Sequence, residues 1–162
     1  MAGMDVRSCI WFDGRIEEAA EFYVSLVPGS ELGPVSRYPD DSAFPGPDPG
    51  AALTVDFTLA GVPYQLLNGG PEFPLTEAFS IVLIVDDQHE VDRVWDALTA
   101  DGGEESMCGW LKDRFGLSWQ IIPTEFGQLM SSGDSERTQR VMGAMMTMHK
   151  LDLAALRAAY DG

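Results

Sequence analysis

The two cysteines and two histidines of this chain show no recognisable catalytic spacing. The two cysteines, Cys9 and Cys108, lie far apart, with no C-x-x-C pair. Cys9 falls inside the apolar run Cys9-Ile10-Trp11-Phe12 and reads as a small buried hydrophobe. Cys108 precedes Gly109, and as a nucleophile it would need a neighbouring base. The only histidines, His89 and His149, fall in segments with helical patterning. Catalytic residues therefore stay unassigned. Four methionines, Met142, Met145, Met146 and Met148, recur at helical spacing, which is the pattern of a packing face that covers a sheet or meets another subunit.

The charge balance narrows the partners. Asp and Glu number 26 against 10 Lys and Arg, a formal charge of −16 over 162 residues. From Tyr38 to Asp92 there is no Lys or Arg, while ten acidic residues fall in that stretch. Phosphate backbones are held by Lys and Arg, so nucleic acid is not an expected partner. Anionic membrane surfaces would repel the chain. No apolar run reaches the roughly 20 residues of a spanning helix. The N-terminus has no basic stretch followed by an apolar core, so the expectation is a reduced, cytoplasmic protein. The acidity serves solubility or attracts a cationic ligand, and both readings stand.

The elements that must position any site follow from the hydrophobic period. Residues 5–12 read as a strand, broken by Asp13-Gly14. A helix follows with Ala19, Phe22, Tyr23 and Leu26 on one face, stopped by Pro28-Gly29. Glu31 to Tyr38 is a short strand, and Pro39 to Pro49 a surface loop. Leu53 to Leu59 alternates as a half-buried strand, Ala60-Gly61 turns it, and Val62 to Leu67 returns. Phe79 to Val85 is nearly all apolar and reads as a central strand buried on both faces. Asp87-Gln88-His89-Glu90 starts a helix with Val91, Val94, Trp95 and Leu98 on one face. Short strands follow at 104–108, 110–113 and 117–123. The two helix faces have identical spacing, so the chain reads as strand–helix–strand–strand–strand twice. The expected class is α+β, with modules at about 5–68 and 79–123 in a domain of residues 1–123. Residues 124–162 form a helical extension: a turn at 125–131, a helix from Ser135 to Lys150, and a last helix capped by Asp152.

Three segments carry a family resemblance. They are Trp11-Phe12-Asp13-Gly14 with Glu17-Glu18-Ala19-Ala20-Glu21-Phe22-Tyr23, then Leu67-Asn68-Gly69-Gly70-Pro71, then Cys108 to Pro123. They resemble the PhnB-like branch of the vicinal oxygen chelate (glyoxalase/bleomycin-resistance/dioxygenase) superfamily, whose members are often labelled 3-demethylubiquinone-9 3-methyltransferase. The resemblance implies paired βαβββ modules, in agreement with the repeat. A methyl transfer from S-adenosylmethionine would need a glycine-rich turn between a strand and a helix. Gly69-Gly70 instead runs into Pro71 and a loop, and Gly102-Gly103 follows a helix.

In the superfamily's catalytic members each module's concave sheet supplies two metal ligands, usually His, Glu or Gln. Matched by motif, those slots fall here on Ser8 and Gln65 in the first module and on Ser80 and Gln120 in the second. None of the four is ionised, and such metals want imidazole and carboxylate donors. The expectation is thus no metal and no cofactor, but a pocket lined by Ser8, Gln65, Asn68, Ser80, Trp110 and Gln120 that takes a small molecule. Gln65 and Gln120 could alternatively bond each other in a filled barrel. Asn68 reads as either a pocket-rim donor or a turn residue. Trp11 and Trp119 fall out of phase with Ser8 and Gln120 and are expected to face the helices. Lys112 could neutralise an anionic ligand or simply end a strand. The alternative function is a metal-dependent glyoxalase- or dioxygenase-like enzyme. A homodimer is expected, since relatives often complete their sheets across a two-fold axis.

Overall fold

The computed structural model describes residues 3–40 and 48–162. Most of the expected Pro39–Pro49 loop lies outside the described residues. The chain divides into two compact units, Met1–Leu75 and Thr76–Gly162.

The first unit runs β1 (Ser8–Phe12), α1 (Ile16–Leu26), β2 (Glu31–Arg37), β3 (Ala52–Leu59) and β4 (Val62–Asn68). Its sheet has the order β1-β4-β3-β2, with β1 parallel to β4 and the other pairs antiparallel. The chain swings from β1 into α1 through Gly14 and Arg15, both left-handed at φ 77° and 54°. Glu17 and Glu18 then occupy the first turn, where the helix dipole favours acid. α1 buries Ile16, Ala19, Ala20, Tyr23 and Leu26, and the sheet buries Ile10, Phe12, Val55, Phe57, Leu59 and Leu66. In β3 these positions alternate with the half-buried Thr54, Asp56 and Thr58, so one face of the sheet carries the helix and the other stays open.

The second unit repeats the plan. β5 (Ser80–Val85), α2 (Gln88–Thr99), β6 (Glu104–Glu105), β7 (Trp110–Lys112) and β8 (Ser118–Pro123) form a sheet of order β5-β8-β7-β6. Again the first strand runs parallel to the last. The Asp87 carboxylate caps α2 by accepting from the Glu90 amide at 2.9 Å. Val91, Val94, Trp95 and Leu98 are all buried against the sheet, as their spacing requires. The fold is therefore α+β with two βαβββ modules.

The extension forms α3 (Thr124–Met130), α4 (Ser135–Met145) and α5 (Leu153–Asp161) around buried Val141, Leu151 and Leu156. It belongs to the second unit. Gln88 ties it to α2, donating to the Leu151 carbonyl at 3.1 Å and accepting from the Leu153 amide at 2.8 Å. Met145 and Met148 pack on this cluster, whereas Met142 and Met146 face outward.

Three expectations are corrected here. β5 is an edge strand rather than a central one, and Val82 and Ile84 are 49% and 71% exposed on its open side. An all-apolar run marks a strand without saying which neighbours it has. His149 is not helical, because α4 ends at Met145, and its Nδ1 lies 2.9 Å from the Ser106 carbonyl. Cys9 is exposed rather than buried, since it projects from the open face.

Candidate functional site

Each module offers one open sheet face, and strand register decides what stands on it. In the first unit Cys9 pairs with Gln65, and Trp11 with Leu67. Asp56 sits opposite Gln65, and Thr54 opposite Leu67. These residues share the open face. Ser8 instead has the parity of Ile10 and Phe12, whose side chains are buried on the helix side. The pocket position expected for Ser8 is held by Cys9. Trp11, expected to face the helix, is likewise on the open side.

The open face of the first unit is a polar cluster centred on Asp56. Gln65 Nε2 donates to Asp56 Oδ1 at 2.7 Å, and Arg7 Nη1 to Asp56 Oδ2 at 2.6 Å. Arg7 also pairs with Asp5. The Arg7 guanidinium is held above its ordinary value chiefly by Asp5 and then by Asp56. Partial desolvation against the sheet, although Cys9 is exposed, and secondarily the Asp56 charge push its thiol up, which disfavours a reactive thiolate. Asp56 and Arg7 were missed from the sequence. The signal was there: the alternation of Leu53 to Leu59 sets Asp56 on the polar side.

Asn68 turns out to be structural. It is buried, its Nδ2 donates to the Ala52 carbonyl at 3.1 Å, and its Oδ1 accepts from the Gly14 amide at 3.0 Å. Its own carbonyl accepts from the Tyr38 hydroxyl at 2.5 Å. It brackets the β1–α1 turn against β3. The glycines after it answer to Trp11, whose indole N–H donates to the Gly70 carbonyl at 2.7 Å. A Cβ on Gly69 would sit 2.2 Å from that indole ring, so only glycine fits without moving it.

The second unit's open face holds Ser80, Gln120 and Trp110. Trp110 pairs with Gln120, and Lys112 with both Ser118 and Glu104. Gln120 Nε2 donates to Ser80 Oγ at 2.8 Å. Gln65 and Gln120 thus each have a partner in their own sheet. Trp119 points the other way, fully buried against α2, as its phase requires. Lys112 is neither a free strand-end lysine nor an open anion site, because Nζ pairs with Glu77 at 2.5 Å. That bond holds the Glu77 carboxyl below its usual range and the Lys112 ammonium above its own. Beside this pair lies a cavity of about 130 Å³, lined by Glu77, Glu104, Glu105, Trp110, Lys112 and Ser118 among others.

The residues present do not suit the divalent metal of chelating relatives. Among the described residues, no three His, Cys, Asp or Glu side chains gather so as to hold a metal ion. Asp56, the carboxylate bonded to Gln65, is already bound by Arg7. Nor does either glycine pair link a strand to a helix: Gly69-Gly70 closes β4 and leads into a turn, and Gly102-Gly103 follows α2. No helix among the described residues is long and apolar enough to cross a membrane.

Comparison with known proteins bears on the whole arrangement. A family model described as 3-demethylubiquinone-9 3-methyltransferase matches residues 4–122. A PhnB protein from Bacillus cereus, bearing the same methyltransferase description, is 31% identical with a TM-score of 0.65, over 75% of this chain and 100% of its own. A Pseudomonas aeruginosa protein is 22% identical with a TM-score of 0.58, over 75% of this chain and 98% of its own. The fosfomycin resistance protein FosX of Mesorhizobium loti shares the fold at 11% identity and a TM-score of 0.50, over 75% of this chain and 92% of its own. No curated protein matches at a significant level. With its two βαβββ modules and these matches, the chain belongs to the 3-demethylubiquinone-9 3-methyltransferase family, the PhnB-like branch of the vicinal oxygen chelate superfamily.

Proposed function

We propose that this chain binds a small cationic molecule on its open sheet surface, and that it does so without a divalent metal. The observation that carries the reading is the Gln120–Ser80 bond at 2.8 Å beside the acidic cavity at Trp110. Two of the slots that chelating relatives give to metal ligands are here neutral groups committed to each other. Next to them stand the Trp110 ring, the Glu77–Lys112 ion pair and the further carboxylates of Glu104 and Glu105, a wall of net negative charge that suits a cation. The formal charge of −16 supports the sign of the ligand. The methyl-transfer description of the family draws no support from the two glycine pairs, since neither Gly69-Gly70 nor Gly102-Gly103 joins a strand to a helix. The rival reading is a metal-dependent enzyme of the glyoxalase or dioxygenase kind.

Thermal unfolding of the full chain against a panel of organic cations, with and without excess EDTA, tests this. Stabilisation that survives EDTA and weakens with salt is the expected result, since exposed charges are screened within about 8 Å at 0.15 M. Stabilisation abolished by EDTA and restored by zinc or nickel would establish the rival. The same reading includes a homodimer, supported by the exposed Val82 and Ile84 of β5, which a second copy would cover. Sedimentation of a lone 17.7 kDa species at micromolar concentration would contradict the dimer.

A further inference from the structure

We infer that the C-terminal extension is a positioning strap for the Trp110 strand, and that it sets the aromatic wall of the open face through the backbone carbonyls of Met148 and His149. The consequence for binding rests on the cation-binding reading above. The strap itself rests on the hairpin it holds.

β6 and β7 are joined by a hairpin whose two central turn residues are Cys108 and Gly109, closed by the Trp110 amide donating to the Met107 carbonyl at 3.1 Å. Both central residues have positive φ, 61° and 83°, the signature of a type I′ turn. Asn-Gly is the pair such a turn favours. Gly109 suits it. Cys108 does not, because it carries a Cβ and lacks the short amide side chain that stabilises the left-handed conformation locally. Such a conformation persists only where the surroundings hold it.

The segment between α4 and α5 does the holding. The Cys108 amide donates to the Met148 carbonyl at 2.7 Å, and the Gly109 amide to the His149 carbonyl at 2.8 Å. His149 Nδ1 lies 2.9 Å from the carbonyl of Ser106, just before the turn. Cys108 Sγ lies 3.7 Å from Met146 Sδ. Leu151 packs on Gly109 so closely that a Cβ there would come within 3.2 Å of its Cγ. The segment is in turn fastened to α2, by Gln88 at Leu151 and Leu153 and by Lys150 Nζ at 3.0 Å from Asp92 and 3.4 Å from Asp96. β6 and β7 have only two and three residues, so their own ladder gives the hairpin little rigidity. Trp110 follows the turn directly and pairs with Gln120, so whatever fixes the turn fixes the ring beside the Gln120–Ser80 bond. The strap lies beyond residue 122, where the family match ends, and is an addition to the module.

The double variant Gln88→Ala/His149→Ala in the full chain tests the strap, with amide exchange at Cys108 and Gly109 and the Trp110 indole N–H resonance as readouts. Exchange at both amides should speed up about tenfold, the scale of one net hydrogen bond, and the Trp110 resonance should move. Tetramethylammonium, where it binds the wild type in EDTA, should bind the double variant more weakly. Adding Cys108→Asn should return the Trp110 resonance to its wild-type position, because Asn-Gly holds the turn unaided. A general loss of stability would not be rescued in that way. Arg157→Ala, which breaks the pair with Glu125 inside the extension, should leave Trp110 unmoved. Unchanged exchange and an unmoved Trp110 in the double variant would overturn the strap, and so would a shift that Cys108→Asn does not reverse. If Trp110 moves and is restored while no organic cation binds the wild type, the strap stands and the cation reading fails.

Discussion

Gln120 reaches Ser80 diagonally across two parallel strands, at 2.8 Å, although the ladder pairs Gln120 with Val82 and Ser80 with Ser118. The two side chains therefore point at one spot on the open face. Here the two groups, an amide and a hydroxyl, are bonded to each other.

The first prediction concerns that spot. Dialysed wild-type protein should contain no stoichiometric zinc, nickel, iron or manganese. Ser80→His with Gln120→Glu should create a weak, measurable zinc site, because imidazole and carboxylate suit the ion where hydroxyl and amide do not. Elemental analysis and calorimetry decide. One equivalent of metal per wild-type chain, lost in Gln120→Ala, would refute it.

Asp113 supports the second prediction. Its Oδ1 accepts from the Phe115 and Leu117 amides at 2.8 and 3.0 Å, and its Oδ2 from the Trp119 indole at 2.8 Å. Asp113→Ala leaves buried donors without acceptors, at about 1–3 kcal/mol for each unsatisfied group. Urea unfolding should show a loss on the order of 3 kcal/mol with an altered Trp119 emission. Asp113→Asn, which keeps acceptor capacity on one side, should cost less. A loss below about 1 kcal/mol for the alanine variant would contradict the bracket.

Acid titration supplies the third. The Lys112 ammonium, through its hydrogen bond, holds Glu77 below the ordinary glutamate value of 4.5. A depressed carboxyl stabilises the fold above its unfolded value, and that contribution is lost as pH falls through the folded one. Lys112 is raised above 10.5 by the same bond, so its contribution is present below that value and lost as pH rises past the folded one. Carbon-detected titration of Glu77 should give a midpoint under 4.5 that moves up in Lys112→Met. An unchanged midpoint would show that the pair does not form in solution.

The amino-acid sequence by itself determined the two module helices, the repeat and the phase of β8. Ala19, Tyr23 and Leu26, like Val91, Val94, Trp95 and Leu98, recur at 3.6-residue spacing, and one apolar stripe can be buried in only one way. Leu53 to Leu59 and Ser118 to Gln120 carry their own polar and apolar alternation, so the open-face positions of Asp56 and Gln120 were legible from local pattern. β1 carries no such mark. Cys9-Ile10-Trp11-Phe12 is apolar at every position, so nothing local says whether Ser8 or Cys9 shares a face with Gln65, and the wrong phase misplaces Trp11 as well. The edge position of β5 depends on which strands pair with it, and the pairing is long-range. The cavity is the fullest case. Glu77 comes from a loop, Glu104 and Glu105 from β6, Trp110 and Lys112 from β7, and Ser118 from β8. Glu77, Glu104, Glu105 and Ser118 each read as an ordinary polar surface residue in their own segments. Only the antiparallel ladder of three short strands brings their charges to one wall and buries the Ser118 hydroxyl beneath them.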